Sequence, residues 1–178
     1  MQTRHQDRSA YFEETATSCR NYYLPYIEQH TSLKFGRKCR VMEVGCGIGG
    51  ILSIFAAMGA TVTGIDIHKP SIETAKTLFA ERGLKGTFIC SDIFDYSDTQ
   101  PYDLIILHDA LEHIPEKERL MLHLKSFLKA DGLLYLGFPA WQMPFGGHQQ
   151  MAKNRIIANC PYIHLLPRPL FRFVFRAC

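Results

Sequence analysis

The chain has 178 residues, of which 47% are hydrophobic and 21% charged, and its formal net charge at pH 7 is +3. This length and composition predict one globular domain with a sizeable core and argue against extended disorder. The small net charge gives no argument for nucleic-acid binding, and no stretch is apolar enough throughout to predict a signal peptide or a membrane span.

Aromatic residues are concentrated in segment 1–36, which we interpret as a helical arm or flap. The cluster comprises Tyr11, Phe12, Tyr22, Tyr23 and Tyr26. Pro25 is expected to interrupt any long helix here. Two roles fit these rings, because they can pack on the core or cover a bound ligand with a ring face and a hydroxyl.

Segment 40–50 predicts a strand, a glycine loop and the start of a helix. The apolar run 41–44 is short and ends at glycine, as expected of a central parallel strand buried on both faces. Glu43 is the exception in this run, and we expect N–H groups of the 45–49 loop to bond its carboxylate. An apolar stripe then predicts a helix ending near Gly59, and it comprises Ile48, Ile51, Leu52, Phe55 and Met58.

Two ligand-binding patterns fit the glycines of this loop. Gly45, Gly47 and Gly50 satisfy G-x-G-x-x-G, the dinucleotide pattern, and Asp66 lies near the position of its ribose-binding acid. Gly45, Gly47 and Gly49 instead satisfy G-x-G-x-G after an acidic residue. This second form resembles the first motif of the class I S-adenosylmethionine-dependent methyltransferases, and segments further along the chain must decide between the two.

Segment 61–66 predicts a second strand, which ends in Asp66. At the carboxyl end of a parallel strand, this carboxylate is placed to accept both hydroxyls of a ribose. Its alternative role is to cap the next helix, for which Ser71 is better placed. The helical pattern that follows comprises Ile72, Ala75, Leu78 and Phe79.

A third strand is predicted at 87–90 and is followed by Asp92 and Ile93. The methyltransferase resemblance implies that Asp92 accepts from an adenine amino group, and that the N–H of Ile93 donates to a ring nitrogen. Asp92 is equally well explained as an ordinary turn residue.

Segment 102–114 favours the methyltransferase interpretation. The apolar run 104–107 predicts a buried strand, after which His108 falls at the ligand-binding edge. Asp109 and Glu112 have the spacing of a capping box for a short helix that Pro115 ends or restarts. An Asp that opens the strand and a Leu-Glu-His that follows it resemble motif IV of small-molecule methyltransferases, whereas a nicotinamide dehydrogenase has no use for them.

The remaining elements complete the predicted fold. A helix stripe comprises Leu120, Leu124, Phe127 and Leu128. Segment 130–132 predicts a turn, and 133–138 predicts a fifth strand. The order resembles the class I methyltransferase fold, which implies a doubly wound, Rossmann-like, mostly parallel α/β sheet with helices on both faces. Such sheets normally have seven strands, so we expect an incomplete or unusual C-terminal edge.

The resemblance covers residues 37–139 and implies a role for each matching residue. Those that would hold the methionine part of S-adenosyl-L-methionine are Glu43, Gly45, Cys46 and Gly47. Those that would hold the ribose and adenine are Asp66, Ile67, Asp92 and Ile93. His108 would line the channel of the methyl donor.

Three histidines are candidate catalytic bases for an acceptor that must lose a proton. His108 lies at the end of the fourth strand. His113 is expected to face the core or cap the short helix. His148 follows the glycine-rich segment 144–147, which would arrive over the acceptor pocket.

Segment 140–178 predicts a substrate loop and then a basic, aromatic tail. Its basic residues from position 151 onward are Lys153, Arg155, Arg168, Arg172 and Arg176. An alternative function follows, in which the protein is a non-catalytic cofactor-binding module that docks on an anionic membrane or another anionic partner. A nicotinamide-dependent oxidoreductase is the third, less favoured, alternative.

The six cysteines include no C-x-x-C pair, so we expect no metal site and a reduced, cytoplasmic chain. Cys46 is interpreted as a small residue tolerated in the glycine loop rather than a reactive thiol. Together these patterns predict an enzyme that transfers a methyl group from S-adenosyl-L-methionine to an oxygen or nitrogen atom of a small molecule. Neither nucleic acid nor a transmembrane segment is expected.

Overall fold

A computed structural model of the chain describes residues 7–140, 142–144, 154, 158–167 and 169–170. They fall into two compact units, one within Gln2–Gly137 and the other within Phe138–Cys178. The first unit contains the sheet and the candidate site. In the second, Ile163–Leu165 forms a short 3-10 helix, and the N–H of Tyr162 donates to the Pro144 carbonyl over 2.6 Å.

Five parallel strands form one sheet in the first unit. They are β1 (Arg40–Val44), β2 (Thr61–Asp66), β3 (Thr87–Cys90), β4 (Tyr102–His108) and β5 (Leu128–Gly137). Their spatial order is β3-β2-β1-β4-β5, and every neighbouring pair runs in parallel. The predicted doubly wound sheet is confirmed. Its strand order reverses between β1 and β4, where open sheets of this kind bind ligands.

Helices cover both faces of the sheet. They are α1 (Arg8–Ser18), α2 (Leu24–His30), α3 (Gly50–Ala57), α4 (Lys69–Glu81) and α5 (Lys117–Ser126). Successive side chains of β1 point to opposite faces of the sheet and belong to two separate cores. Val41 packs with residues of α1, α3 and α4, whereas Met42 packs with residues of α5. None of the described helices has the length and apolarity needed to cross a membrane.

The N-terminal arm is helical from Arg8 to His30, with a π-helical turn at Cys19–Tyr23 between α1 and α2. The prediction that Pro25 interrupts the helix is therefore wrong in position. Pro25 lies in the first turn of α2, where a missing N–H is tolerated. The departure from α-helical hydrogen bonding is the π turn, which precedes Pro25 in the chain. Phe12 is buried edge-on against Phe79 at 6.3 Å, so the packing role holds for this ring.

The structure differs from the sequence prediction at three places near the ends of helices and strands. α5 ends at Ser126, and Leu128 already pairs with Tyr102 as the first residue of β5. The expected turn at 130–132 is instead an irregularity inside β5, because the next partners in register are Leu104 and Leu133. Met58 is 38% exposed at the end of α3 and does not belong to its buried stripe.

A polar cluster closes the end of the sheet opposite to the candidate site. The Asp98 carboxylate accepts from the hydroxyl of Tyr102 at 2.7 Å, the hydroxyl of Tyr96 at 3.1 Å and the Arg40 guanidinium at 2.8 Å. It also accepts from the Gln100 N–H at 2.9 Å. Burial raises the pKa of Asp98, but these hydrogen bonds and the Arg40 charge outweigh it, so the pKa lies below 3.8.

Replacing Asp98 by alanine is expected to lower the free energy of unfolding by about 2 kcal/mol, because three buried or half-buried donors lose a charged acceptor. Urea unfolding measures this loss. The difference from wild type should be full above pH 3.8 and shrink as the pH falls through the lowered pKa, since protonation removes the same charge. The control is Glu73→Ala, which breaks an exposed pair with Lys76 and should change stability by less than about 0.5 kcal/mol.

Candidate active site

Two adjoining cavities lie at the carboxyl ends of the strands. The first, of about 300 Å³, is bounded by the arm, the glycine loop and the end of β4. The second, of about 620 Å³, is bounded by the ends of β2 and β3 and the segment after β4. Gly45 and Asp109 line both. These volumes are in the range of small-molecule sites, so the geometry provides one bipartite pocket at the predicted edge.

The glycine loop is built to bring its backbone close to that pocket. Gly45, Gly47 and Gly49 all have positive φ, which side chains other than glycine rarely adopt. A Cβ at Gly45 would lie 2.6 Å from the Cβ of Ala110, whereas one at Gly47 would meet no atom within 4 Å. The first glycine thus permits close packing of two loops, and the second leaves bare backbone open to a ligand.

Glu43 lacks the hydrogen bonds expected from this loop. The N–H groups of Gly45 and Cys46 donate to the Ile65 carbonyl at 2.8 and 3.1 Å, and the N–H of Gly47 donates to Asp66. Glu43 is 3% exposed, and its Oε2 has no hydrogen-bond partner among the described residues. Burial, with a contribution from Asp66, raises the pKa of Glu43 well above 4.5. The first cavity therefore has in its wall a buried carboxyl group, one oxygen of which is bonded by none of the described residues.

Asp66 links the glycine loop to the start of α4. Its Oδ2 accepts from the Gly47 N–H and its Oδ1 from the His68 N–H, each at 2.8 Å. Each oxygen keeps a lone pair, and the side chain lines the second cavity. Ser71 does not cap α4, because this helix begins at Lys69 and Ser71 lies inside its first turn. Ile67, 75% exposed, lines the same cavity beside Asp66.

Asp92 and Ile93 also line the second cavity. The Asp92 Oδ1 accepts from the Phe94 N–H at 2.9 Å and caps the 3-10 helix Ile93–Asp95. The interpretation of Asp92 as a turn residue therefore holds. Its second oxygen remains available to a ligand. No sequence pattern indicated Arg119, whose guanidinium lies 4.2 Å from the centre of the Phe94 ring and borders this cavity.

His108 lies half-buried at the end of β4 and lines the first cavity. Its Nδ1 is 3.4 Å from the Asp109 Oδ2, and its ring is 4.6 Å from the ring of Tyr23. The predicted capping box of Asp109 and Glu112 is wrong. Asp109 instead has a φ of +51° and donates its N–H to the Gly137 carbonyl, so neither residue caps the 3-10 helix that follows.

Of the other two candidate bases, the structure describes His113 and places it away from this position. His113 has a 64% exposed side chain and lines the second cavity, so the expectation that it faces the core is wrong. It belongs to a 3-10 helix of three residues, too short to bury one face. His148 lies outside the described residues.

Cys46 is buried beneath the glycine loop. A Cβ at Gly64 would lie 2.7 Å from its sulfur, which shows how tightly the thiol fills this space. Burial, followed by the nearby Glu43 and Asp66, raises the pKa of the Cys46 thiol well above 9.0. A thiol in this state is a poor nucleophile, in keeping with its interpretation as a small tolerated residue. The described residues contain no cluster suited to hold a metal ion.

The pocket is strongly acidic. The acidic residues lining the two cavities are Glu14, Glu43, Asp66, Asp92, Asp95, Asp109 and Glu116, and the described lining includes one arginine, Arg119. Burial raises the pKa of Tyr23 to about 12, with smaller contributions from Tyr135 and Asp109. Burial likewise raises the pKa of Tyr11, and Asp109, Glu43 and Glu14 add to it. Such a field favours a cationic ligand over an anionic one.

Five residues of the arm complete the first cavity, and these are Tyr11, Glu14, Thr15, Ser18 and Tyr23. The aromatic cluster indicated the two tyrosines as a possible flap, but Thr15 and Ser18 carry no such signal. The arm reaches this position because Gly50, at the start of α3, has no side chain. A Cβ there would lie 2.6 Å from the Phe12 carbonyl oxygen and would also overlap the Thr15 hydroxyl.

Replacing Gly50 by alanine is therefore expected to push α1 away from α3 and to lower the free energy of unfolding by about 1–3 kcal/mol. Denaturant unfolding gives the magnitude, and faster tryptic cleavage at the exposed Arg20 would report the displaced arm. Gly36→Ala is the matched control, because a Cβ at Gly36 meets no atom within 4 Å. Equal effects of both changes would show that the arm does not depend on this contact.

Comparison with known proteins agrees with this geometry. A family model described as "Methyltransferase domain" matches residues 36–170. The ubiquinone biosynthesis O-methyltransferase of Actinobacillus pleuropneumoniae is 39% identical over 119 residues, covering 63% of this chain and 50% of that protein. The chain thus spans about half the length of this curated relative.

Two solved structures share the fold. An S-adenosylmethionine-dependent methyltransferase from Clostridium acetobutylicum superposes with a TM-score of 0.60 at 17% identity, covering 72% of this chain and 51% of that one. The plantazolicin methyltransferase BpumL, solved in complex with S-adenosylhomocysteine, superposes with a TM-score of 0.56 at 22% identity. This match covers 76% of this chain and 55% of that one.

Proposed function

The chain belongs to the methyltransferase domain family, and on this premise we propose that it transfers a methyl group from S-adenosyl-L-methionine to an oxygen or nitrogen atom of a small-molecule acceptor. The observation that carries the proposal is the acidic bipartite pocket, in which a buried carboxyl group, Glu43, has an oxygen with no partner among the described residues. The named activity of the O-methyltransferase relative favours oxygen as the acceptor atom.

The residues present fit this cofactor. We assign its methionine part to the first cavity, where Glu43 would hold the ammonium and the open backbone of Gly45, Cys46 and Gly47 would lie alongside the ligand. Its nucleoside part is assigned to the second cavity, whose lining residues include Asp66 and Ile67 for the ribose and Asp92 and Ile93 for the adenine. Gly45 joins the two, so one elongated molecule can occupy both.

Charge separates this cofactor from a nicotinamide dinucleotide. S-adenosyl-L-methionine carries an ammonium and a sulfonium, which the acidic lining attracts, whereas the pyrophosphate of NADH would meet the same carboxylates with like charge. The lone Arg119 lies beside Phe94 and also pairs with Glu116 at 3.2 Å, so its charge is partly compensated. The oxidoreductase alternative is therefore disfavoured.

Bound in this way, the cofactor supplies a methyl group already activated by its positive sulfur. The protein then has to align the acceptor, exclude water and take up a proton where the acceptor carries one. Among the histidines that the structure describes, His108 borders the first cavity. A proton on Nδ1 directed at Asp109, 3.4 Å away, leaves Nε2 as the basic nitrogen.

The three segments have distinct parts in this proposal. Residues 1–36 form a flap over the first cavity, 37–139 form the cofactor-binding core, and 140–178 supply the acceptor loop. Peripheral contact with an anionic membrane stays a prediction, because the five basic residues on which it rests lie outside the described residues. The cytoplasmic location stays part of this proposal.

Calorimetric titration of the purified chain with S-adenosylhomocysteine tests the proposal, with NADH as the parallel control. We expect micromolar binding of the first and no measurable binding of the second. Binding of NADH alone would replace the proposal by the oxidoreductase alternative. A folded chain that binds neither would refute both the methyl transfer and a cofactor-binding module, and would leave only docking of the basic tail on an anionic partner, which vesicles containing anionic lipid would then test at low salt.

A further inference from the structure

The arm residues that line the first cavity have an unusual spacing. Tyr11, Glu14, Thr15 and Ser18 recur at spacings of three and four residues, as on one face of an α-helix, but the next lining residue, Tyr23, comes five residues after Ser18. A π-helical turn inserts one extra residue into the helix, and its hydrogen bond joins residues five apart. The N–H of Leu24 indeed donates to the carbonyl of Cys19, five residues earlier.

The π turn determines which of two adjacent tyrosines reaches the cavity. In an unbroken α-helix of 3.6 residues per turn, Tyr22 would lie about 40° round from Ser18 and Tyr23 about 140° round. The structure has the opposite arrangement, because Tyr22 is 69% exposed whereas Tyr23 is half-buried and lines the cavity. The extra residue in the turn therefore replaces Tyr22 by Tyr23 at this site.

Tyr23 contacts the imidazole of His108. The two ring centres are 4.6 Å apart with an angle of 31° between the ring planes. Gly137 provides a second close surface, since a Cβ there would lie 2.5 Å from the His108 Cδ2 and 3.1 Å from its Nε2. Asp109 faces the Nδ1 atom. The imidazole is thus confined by a ring, a bare stretch of backbone and a carboxylate.

We infer that Tyr23 is a positioning residue, delivered by the π turn, that holds His108 in the orientation in which Nδ1 faces Asp109 and Nε2 is the basic nitrogen. This rests on the proposed function, which gives Nε2 a proton to accept. Tyr23 acts through its ring rather than its hydroxyl, because its contact with His108 is between the two ring faces, whose centres are 4.6 Å apart. A phenylalanine should therefore replace it.

Nitrogen-15 NMR of labelled histidine tests this inference, because the ring nitrogens report which tautomer is present. The His108 signals are identified by their loss in His108→Gln, at a pH where the imidazole is neutral. We expect one dominant tautomer, protonated at Nδ1, in wild type and in Tyr23→Phe. Tyr23→Leu should give a mixture of both tautomers. Tyr22→Leu is the matched control and should leave the signals unchanged.

A single unchanged tautomer in Tyr23→Leu would overturn the inference. Deletion of Asn21 provides a second test, because it removes the extra residue and places Tyr23 four residues after Ser18 in a regular helix. The dominant tautomer should persist in this variant, and its loss would contradict the inference. Titration of each variant with S-adenosylhomocysteine reports separately on the proposed function, since failure of binding in the wild-type protein would refute that function without moving the His108 signals.

Discussion

Replacement of Asp66 by alanine is expected to weaken binding of S-adenosylhomocysteine by about tenfold or more while leaving the fold intact. A charge-assisted hydrogen bond is worth about 1.5–3 kcal/mol, and the carboxylate has a free lone pair on each oxygen for a ribose hydroxyl. It also holds the N–H of Gly47, so its loss releases the loop that would cradle the methionine part. Calorimetry measures the affinity, and circular dichroism with urea unfolding checks the fold.

Asp66→Asn distinguishes the two contributions. The amide keeps one acceptor oxygen but presents an NH₂ either to the Gly47 N–H or to the His68 N–H, and it lacks the charge. We therefore expect an affinity between those of wild type and Asp66→Ala. Asp131→Ala, at an exposed acid in the irregular part of β5, is the control. Unchanged affinity in Asp66→Ala would mean that the nucleoside does not lie in the second cavity.

Local sequence patterns predicted the sheet well because each central strand is short, apolar and followed by a polar or glycine residue. β1 and β4 are buried on both faces, so a run of apolar residues suffices to identify them. The same patterns placed Asp66, Asp92 and His108 at strand ends, and parallel strands bring such ends to one edge. The pocket therefore follows from element order, without knowledge of any single contact.

Where prediction failed, partners distant in the chain decided the outcome. The N–H groups of the glycine loop were expected to bond Glu43, but Ile65 and Asp66 on the neighbouring strand accept them instead. Asp109 has the spacing of a capping residue, yet its backbone is held by the Gly137 carbonyl on β5. A π turn has no sequence signature of its own, because it depends on which residues the rest of the protein buries.

Replacement of Glu43 by glutamine is expected to change the pH dependence of both stability and binding. In the free protein the pKa of Glu43 is raised well above 4.5, chiefly by burial. The contribution of Glu43 to stability is complete below the pKa that it has in the unfolded chain. This contribution is lost as the pH rises through the pKa that it has in the folded protein. The wild-type protein should therefore lose stability relative to Glu43→Gln above pH 4.5, by at most about 1.4 kcal/mol per pH unit. Urea unfolding at several pH values measures the difference.

Ligand binding should reverse this behaviour, because an ammonium group beside the orphaned Oε2 favours the ionised carboxylate. Wild type should then release a proton when S-adenosylhomocysteine binds, and calorimetry in buffers of different ionisation enthalpy counts that proton. Glu43→Gln should release fewer protons and bind about 10- to 100-fold more weakly, the equivalent of one charged hydrogen bond. Glu14→Gln, at an exposed acid lining the same cavity, should have a smaller effect on both quantities. Equal proton release by wild type and Glu43→Gln would show that the ammonium lies elsewhere, because no other carboxyl group described in that cavity is buried.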